Sequence, residues 1–304
     1  MKPSLRWIGL PVAITFVICA IPLYRAVPAQ AAAGDRIAEV ITPEDNSFLW
    51  ARGISPNVAF DGQYLYYTEY AGRILHRIDV PPPGGPTNAT GQVNVPIVGS
   101  LSGIMTIAYD RRRDGFWAVG GNGLSVYFLT KTGNATLAYT IDPQNDRPGF
   151  QTGPFATETK IAYDGTDDTI WYSPDATTRI YHYLVTPDVL GTAALVTATP
   201  YIDVGAAPHD IAAQCGYSQS SGVAVGGTNL FVTVAGCSYY FEYTKTGVKV
   251  AAHPYSPMMD SSQDAECDNV SYGVAVLWVK EGYKGRIAAI EQPSAGACVY
   301  GGGM

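Results

Sequence analysis

The densest run of oxygen ligands in the chain is Asp264-Ala265-Glu266-Cys267-Asp268-Asn269. Carboxylate and amide oxygens gathered like this suit a hard divalent cation such as Ca2+. The run lacks EF-hand spacing, and it reads more simply as a solvated acidic loop tied down by Cys267. A second place for chemistry is His209-Asp210, which follows Pro208 in a long connection. An imidazole beside a carboxylate can act as a general base, so His209 and Asp210 are the catalytic candidates. The alternative is a structural or solvent-facing histidine. The sequence contains no Gly-x-Ser-x-Gly elbow, phosphate-binding loop, dinucleotide fingerprint, Cys-x-x-Cys pair or haem-attachment motif.

These residues mean little until the elements that carry them are placed. Residues 1–33 read as a secretory signal peptide. Lys2 and Arg6 form a basic start, residues 8–24 an apolar run, and Ala29-Gln30-Ala31 a small-x-small cleavage site. A retained membrane anchor is the alternative, because the run is just long enough to span a bilayer. The first 33 residues hold three of the 19 basic residues and no acid. The remainder therefore carries 16 basic against 26 acidic residues, a net of −10. An acidic chain without a basic stripe is a poor partner for nucleic acid or an anionic membrane. Cys19 lies in the leader, which leaves Cys215, Cys237, Cys267 and Cys298. An even number in an exported chain predicts two disulfides, with three pairings open.

Charged residues are few, while Gly, Pro, Tyr and Thr are plentiful, which favours short strands joined by turns. One phrase recurs five times: a small apolar strand, a turn, then an aliphatic-aromatic pair. The copies are Val58-Ala59-Phe60-Asp61-Gly62 with Leu65-Tyr66, Ile107-Ala108-Tyr109-Asp110 with Phe116-Trp117, and Ile161-Ala162-Tyr163-Asp164-Gly165 with Ile170-Trp171. Val223-Ala224-Val225-Gly226-Gly227 with Leu230-Phe231 is the fourth, and Val270-Ser271-Tyr272-Gly273 with Leu277-Trp278 the fifth. Third strands are expected at 73–80, 124–130, 178–185, 238–243 and 286–292, and fourth strands at 92–98, 136–142, 195–203 and 248–255. A repeat of this length with four strands is the signature of a β-propeller blade. The fifth unit has no fourth strand, and residues 36–42 are the run that can supply it and close the ring. The expected fold is all-β: a propeller of five four-stranded blades over residues 34–293, followed by a Gly-rich tail, 294–304.

The first copy, with Thr68-Glu69, Arg73-Ile74 and Ile78-Asp79 behind it, resembles a repeat of the NHL, streptogramin-lyase and SMP-30-like propellers. Those propellers usually have six or seven blades. The resemblance implies a ligand site on the axis, at the face where chains enter the first strands and second strands join third ones. Asn57, Thr106, Glu158, Lys160, His209, Asp210, Asp264, Glu266, Asp268 and Asn269 are expected at that face, joined by Glu69, Asp175 and Glu281. Of these, Glu69, Glu158, Lys160, Asp264 and Asp268 are the ligand-binding candidates. By resemblance to the SMP-30-like enzymes, Glu266, Asn269 and Asn57 would hold Ca2+ or another divalent cation. Streptogramin lyases use several histidines with a metal, whereas His76, His182 and His253 fall in outer strands here. Cys215 and Cys237 fall in loops on one face of one blade, so Cys215–Cys237 is the expected bridge. Cys267–Cys298 follows by elimination. With no complete catalytic set, the sequence points to a secreted, monomeric binding protein for a small molecule, a glycan or another protein. A metal-dependent hydrolase or lyase with an axial site is the alternative.

Overall fold

The computed structural model describes residues 32–44, 57–141, 159–174, 177–187, 191–259, 261–282, 284–292 and 298. Residues 1–31 of the expected leader, Glu158, Asp175 and most of the C-terminal tail lie outside these residues. Among the described residues the first strand is β1 (Arg36–Ile41), and a first blade follows as β2 (Ala59–Phe60), β3 (Tyr64–Thr68) and β4 (Ile74–Asp79). An inserted strand, β5 (Gly84–Asn88), precedes that blade's outer strand, β6 (Val93–Pro96). The second blade is β7 (Ile104–Asp110), β8 (Gly115–Gly120), β9 (Ser125–Thr130) and β10 (Ala135–Thr140). The third is β11 (Lys160–Asp164), β12 (Thr169–Ser173) and β13 (Arg179–Pro187), edged by β14 (Ala193–Leu195) and β15 (Tyr201–Asp203). After one helical turn, Ala212–Cys215, come β16 (Gly222–Gly226), β17 (Asn229–Thr233), β18 (Tyr239–Thr244) and β19 (Lys249–Pro254). The fifth blade is β20 (Ser262–Asp268), β21 (Val276–Glu281) and β22 (Arg286–Glu291), completed by β1. The molecule is a five-bladed propeller.

The ring closes as the sequence predicts. β1 runs antiparallel to β22, with Val40 opposite Ile287 and Arg36 opposite Ile290. The inserted β5 then adds in parallel to the far side of β1, so the N-terminal strand is held between two others.

The register shows why each copy of the repeat has its residues. The second-strand aromatic faces a first-strand alanine in four blades: Tyr66 opposite Ala59, Trp117 opposite Ala108, Trp171 opposite Ala162 and Phe231 opposite Ala224. In the fifth, Trp278 faces Glu266. Two residues further on, an aspartate receives the aromatic's polar hydrogen. Trp117 Nε1 donates to Asp110 (3.0 Å), Trp278 Nε1 to Asp268 (2.9 Å) and Tyr66 OH to Asp61 (3.0 Å). Trp171 Nε1 and Asp164 are 3.4 Å apart. The fourth blade has Phe231, which has nothing to donate, and there the matching residue is Gly226. A buried indole N–H needs an acceptor, so the repeated Asp is structural in origin.

Five apolar clusters fill the five gaps between blades, each drawing on two neighbours. The strands nearest the axis are buried on both faces, and every residue of β7, β11, β16 and β20 is buried.

Three expectations are corrected. The first strand of the fifth blade is Ser262–Asp268, whereas 270–273 is the turn that follows it. Ser262, Gln263, Asp264 and Glu266 give that strand a polar sequence unlike the other four, although all of it is enclosed by the ring. The third blade's outer edge is two short strands, β14 and β15, both paired with β13, instead of one continuous run. The proline-rich segment after β4 contributes β5, where no strand is expected from its sequence.

Candidate functional site

Counting back two residues from each aromatic-facing position gives one residue per blade at the axis. They are Asn57, Thr106, Lys160, Gly222 and Asp264. Four of the five are buried polar or charged groups, each 0% exposed. Several reach into the next blade. Asp264 Oδ2 accepts from the backbone N–H of Val58 (3.2 Å). Asn57 Nδ2 donates to the Met105 carbonyl (3.0 Å), and Thr106 Oγ1 accepts from the N–H of Ile161 (3.4 Å). The hydrogen bonds thus pass from the fifth blade to the first, second and third. Gly222 is needed because β16 lies close against β20. A Cβ there would stand 2.7 Å from the Asp264 Cα and 2.4 Å from Thr233 Oγ1.

Glu266 lies one level deeper, where the other blades have alanine. Burial pushes its carboxyl up to about 8, while hydrogen bonds from the backbone of Cys267 and Tyr109 pull the other way. Tyr109 belongs to the second blade, so this side chain reaches across the axis. Burial also raises Asp264 well above the usual carboxylate range, against the pull of the Lys160 ammonium. Two carboxyls with raised proton affinity beside a lysine form a cluster able to hold or move a proton near neutral pH. Asp264 Oδ1, Thr159 Oγ1, Thr233 Oγ1 and Gln263 Oε1 are buried without a hydrogen-bond partner among the described atoms.

Asn57, Lys160, Asp264 and Glu266 are therefore brought together with Thr106. Asn57 uses both amide hydrogens within the protein, Nδ2 donating to Thr68 Oγ1 (2.8 Å) and to Met105, while Oδ1 accepts from Thr68 N–H (3.0 Å). Asp268 and Asn269 lie at the opposite end of β20 from Asp264, because the strand begins earlier than its sequence suggests. Asp268 there accepts from Trp278 and from the turn N–H groups of Val270 and Ser271. The set Glu266, Asn269 and Asn57 is accordingly not assembled at one place. Glu69 follows β3 at the mouth and is partly exposed, and Glu281 is paired with Lys284 (3.2 Å).

His209 and Asp210 lie away from the mouth. The His209 carbonyl accepts from Tyr243 OH (2.6 Å), and Lys249 donates to the Asp210 carbonyl. Tyr243 and Lys249 flank the turn between the third and fourth strands of the fourth blade, at the other end of the ring. The Asp210 carboxylate accepts from the N–H of Ala212 (3.0 Å), at the start of the helical turn. Both expected disulfides are present: Cys215–Cys237 joins the entry loop to the second-to-third connection of the fourth blade, and Cys267–Cys298 pins the tail to β20. Thr159, Thr233 and Gln263 join the mouth without having been singled out in the sequence. The register signal was available for Thr233, which pairs with Gly222 as Ser173 does with Lys160.

No protein-family profile matches the chain, and no characterised protein matches it by sequence. Solved structures match its fold. Glutaminyl cyclase from Myxococcus xanthus aligns over 84% of this chain and 97% of its own at 9% identity, with a TM-score of 0.52. A chain of a nidogen/laminin complex aligns over 80% of this chain and 77% of its own at 12% identity, TM-score 0.45. Virginiamycin B lyase from Staphylococcus aureus aligns over 75% of this chain at 13% identity, TM-score 0.39, and this chain spans 62% of its length. At these identities the likeness is one of fold. Among the described residues, no helix is long and apolar enough to cross a membrane. The two disulfides accord with an oxidising compartment.

Proposed function

We propose that the chain is an exported binding protein that takes a small polar ligand on the propeller axis, at the level of Asn57, Thr106, Lys160, Gly222 and Asp264. The observation that carries this reading is Asp264 itself: a fully buried carboxyl beside Lys160, with one oxygen held by Val58 N–H and the other without a partner. Buried polar atoms are ordinarily paired, and a polar ligand or ordered water completes such a set. The partnerless oxygens at this level are two hydroxyls, an amide oxygen and a carboxyl oxygen, so the ligand class that fits best is a small polar molecule carrying both donors and acceptors. The net charge of −10 without the leader argues against nucleic acid as the partner.

A second reading, acid-base catalysis at the same place, is favoured by one observation. Glu266 keeps its proton up to about pH 8, as a general acid must.

The deciding experiment uses the secreted, oxidised protein. Native mass spectrometry and thermal shift against a panel of amines, sugars and short peptides identify the ligand. The binding reading expects a ligand whose affinity falls at least about tenfold in Asp264→Asn, with no turnover of ester or lactone substrates with or without Ca2+. Metal-stimulated turnover lost in Glu266→Gln would replace binding with catalysis. A ligand indifferent to both substitutions would remove the axis as the site.

A further inference from the structure

A second polar group lies between the third and fourth blades, at the end of the ring opposite the axial mouth. Among the described residues, Asp164, Asp167 and His182 bring one ligand atom each to within 4.8 Å of one another. Asp164 and His182 are buried and Asp167 is exposed. His182 is fixed on two sides. Its ring stacks on Trp171 with centroids 3.9 Å apart, and its Nδ1 lies 3.2 Å from the carbonyl oxygen of Thr199. A carbonyl only accepts, so Nδ1 carries the proton and Nε2 turns its lone pair toward the carboxylates. A backbone carbonyl behind the imidazole is the support that orients metal-binding histidines. Around Nε2 stand Thr169 Oγ1 (2.6 Å), which also donates to Asp167 Oδ1 (2.5 Å), and Asp167 Oδ2 (3.8 Å).

The place already attracts a cation. Lys245, from the turn Thr244-Lys245-Thr246-Gly247 of the fourth blade, puts Nζ 2.5 Å from Asp164 Oδ2. The corresponding lysine of the second blade, Lys131, pairs with Asp61 and Asp114, and among the described residues no histidine joins them in such a group. His182 and Asp167 are thus additions at one blade junction to a clasp that forms without them at another.

We propose that Asp164, Asp167 and His182, helped by the hydroxyl of Thr169, form a site for one borderline divalent cation such as Zn2+, bound in competition with the ammonium of Lys245. One imidazole nitrogen with carboxylate oxygens suits Zn2+, whereas Ca2+ takes oxygen alone. Zn2+ enters past the exposed Asp167. Lys245, whose side chain is already 22% exposed, swings outward into solvent. The site is independent of the axial ligand.

The test is calorimetric titration of the chelator-treated, disulfide-intact protein with Zn2+, repeated with Co2+ read by its visible absorption. The unsubstituted protein is expected to bind one equivalent. Lys245→Met is expected to tighten binding at least about fivefold by removing the competing charge. His182→Gln is expected to abolish the Co2+ band, and Asp167→Asn to weaken binding at least about tenfold. Asp167 is exposed, so its variant reports on the site even if His182→Gln fails to fold. Glu266→Gln is expected to bind Zn2+ unchanged. The proposal is overturned if neither the unsubstituted protein nor Lys245→Met binds a stoichiometric ion. Binding that survives Asp167→Asn, ignores Lys245→Met, or is lost in Glu266→Gln overturns it equally.

Discussion

Lys131, in the turn that joins the third and fourth strands of the second blade, reaches back to the first blade and places Nζ 2.7 Å from Asp61 Oδ2. Lys245 does the same from the fourth blade to Asp164 of the third. Both lysines sit in a Thr-Lys-Thr-Gly turn whose threonine hydroxyls bond to each other, Thr130 to Thr132 at 2.9 Å and Thr244 to Thr246 at 2.8 Å. The aspartate that satisfies the aromatic of one blade is therefore also the anchor for a cation of the next.

Removing either clasp should loosen one blade junction. Each lysine is partly exposed, while Asp61 and Asp164 are nearly or wholly buried. The expected loss lies between that of a surface pair and a buried one, about 1 kcal/mol for Lys131→Met. Lys245→Met should cost a similar amount, and the double variant should show the sum, because the junctions are separate. Urea midpoints measure this. Strong non-additivity would mean the ring transmits strain between junctions.

Ring closure should be the most sensitive feature to a polar substitution. Ala38 and Val40 of β1 are 0% and 1% exposed, between β22 and β5. Val40→Asp buries a carboxylate in the gap shared by the fifth and first blades and should cost about 3 kcal/mol or more. Near-UV circular dichroism and the urea midpoint will show it. A native-like midpoint would mean that β1 is dispensable.

Stability should fall as pH rises through the window set by Glu266. Its ordinary value is 4.5 and its folded value about 8, so the folded chain holds a proton that the unfolded chain releases between these limits. Stability is then greatest below about pH 4.5 as far as this group is concerned, declines up to about pH 8 and levels off above it. Asp264 acts in the same direction. Glu266→Gln should flatten the decline without abolishing it, as read from urea midpoints between pH 5 and 9. An unchanged slope would show that Glu266 ionises in the folded protein as it does in water.

The two disulfides should differ in accessibility. Cys267 and Cys298 are both 0% exposed, whereas Cys215 is partly exposed. Mild reductant followed by alkylation and mass spectrometry should label Cys215 and Cys237 first. Loss of either bridge should cost about 3 kcal/mol, as loops of this length imply. Simultaneous labelling of all four would mean that the ring opens as a whole before either bond is reached.

The sequence made the strand order legible because aliphatic-aromatic pairs and Asp-Gly turns mark strands that pack on both faces. Closure by residues 36–42 was legible by default, since one blade lacked a strand. The axis was harder. Asp264 and Glu266 were visible as acids, but their run looked like a loop because enclosure, not hydrophobicity, buries β20. The same misplacement put Asp268 and Asn269 at the mouth. His209 looked axial from chain position alone, and only the contacts of Tyr243 and Lys249 place it elsewhere. The Thr-Lys-Thr-Gly turns were readable as a repeat, but their partners, Asp61 and Asp164, stand far away in the chain and could be paired only through the fold.

The lodging of β1 between β22 and β5 also dictates an order of assembly. The strand made earliest has its antiparallel neighbour at Arg286–Glu291, about the last part of the ring to leave the ribosome. Until then, among the described residues, β1 has the short parallel edge of Gly84–Asn88 and the bonds of its first residues to Ser256 to lean on. Four blades and an open seam must therefore wait for the final sheet before the ring can close as one cooperative unit.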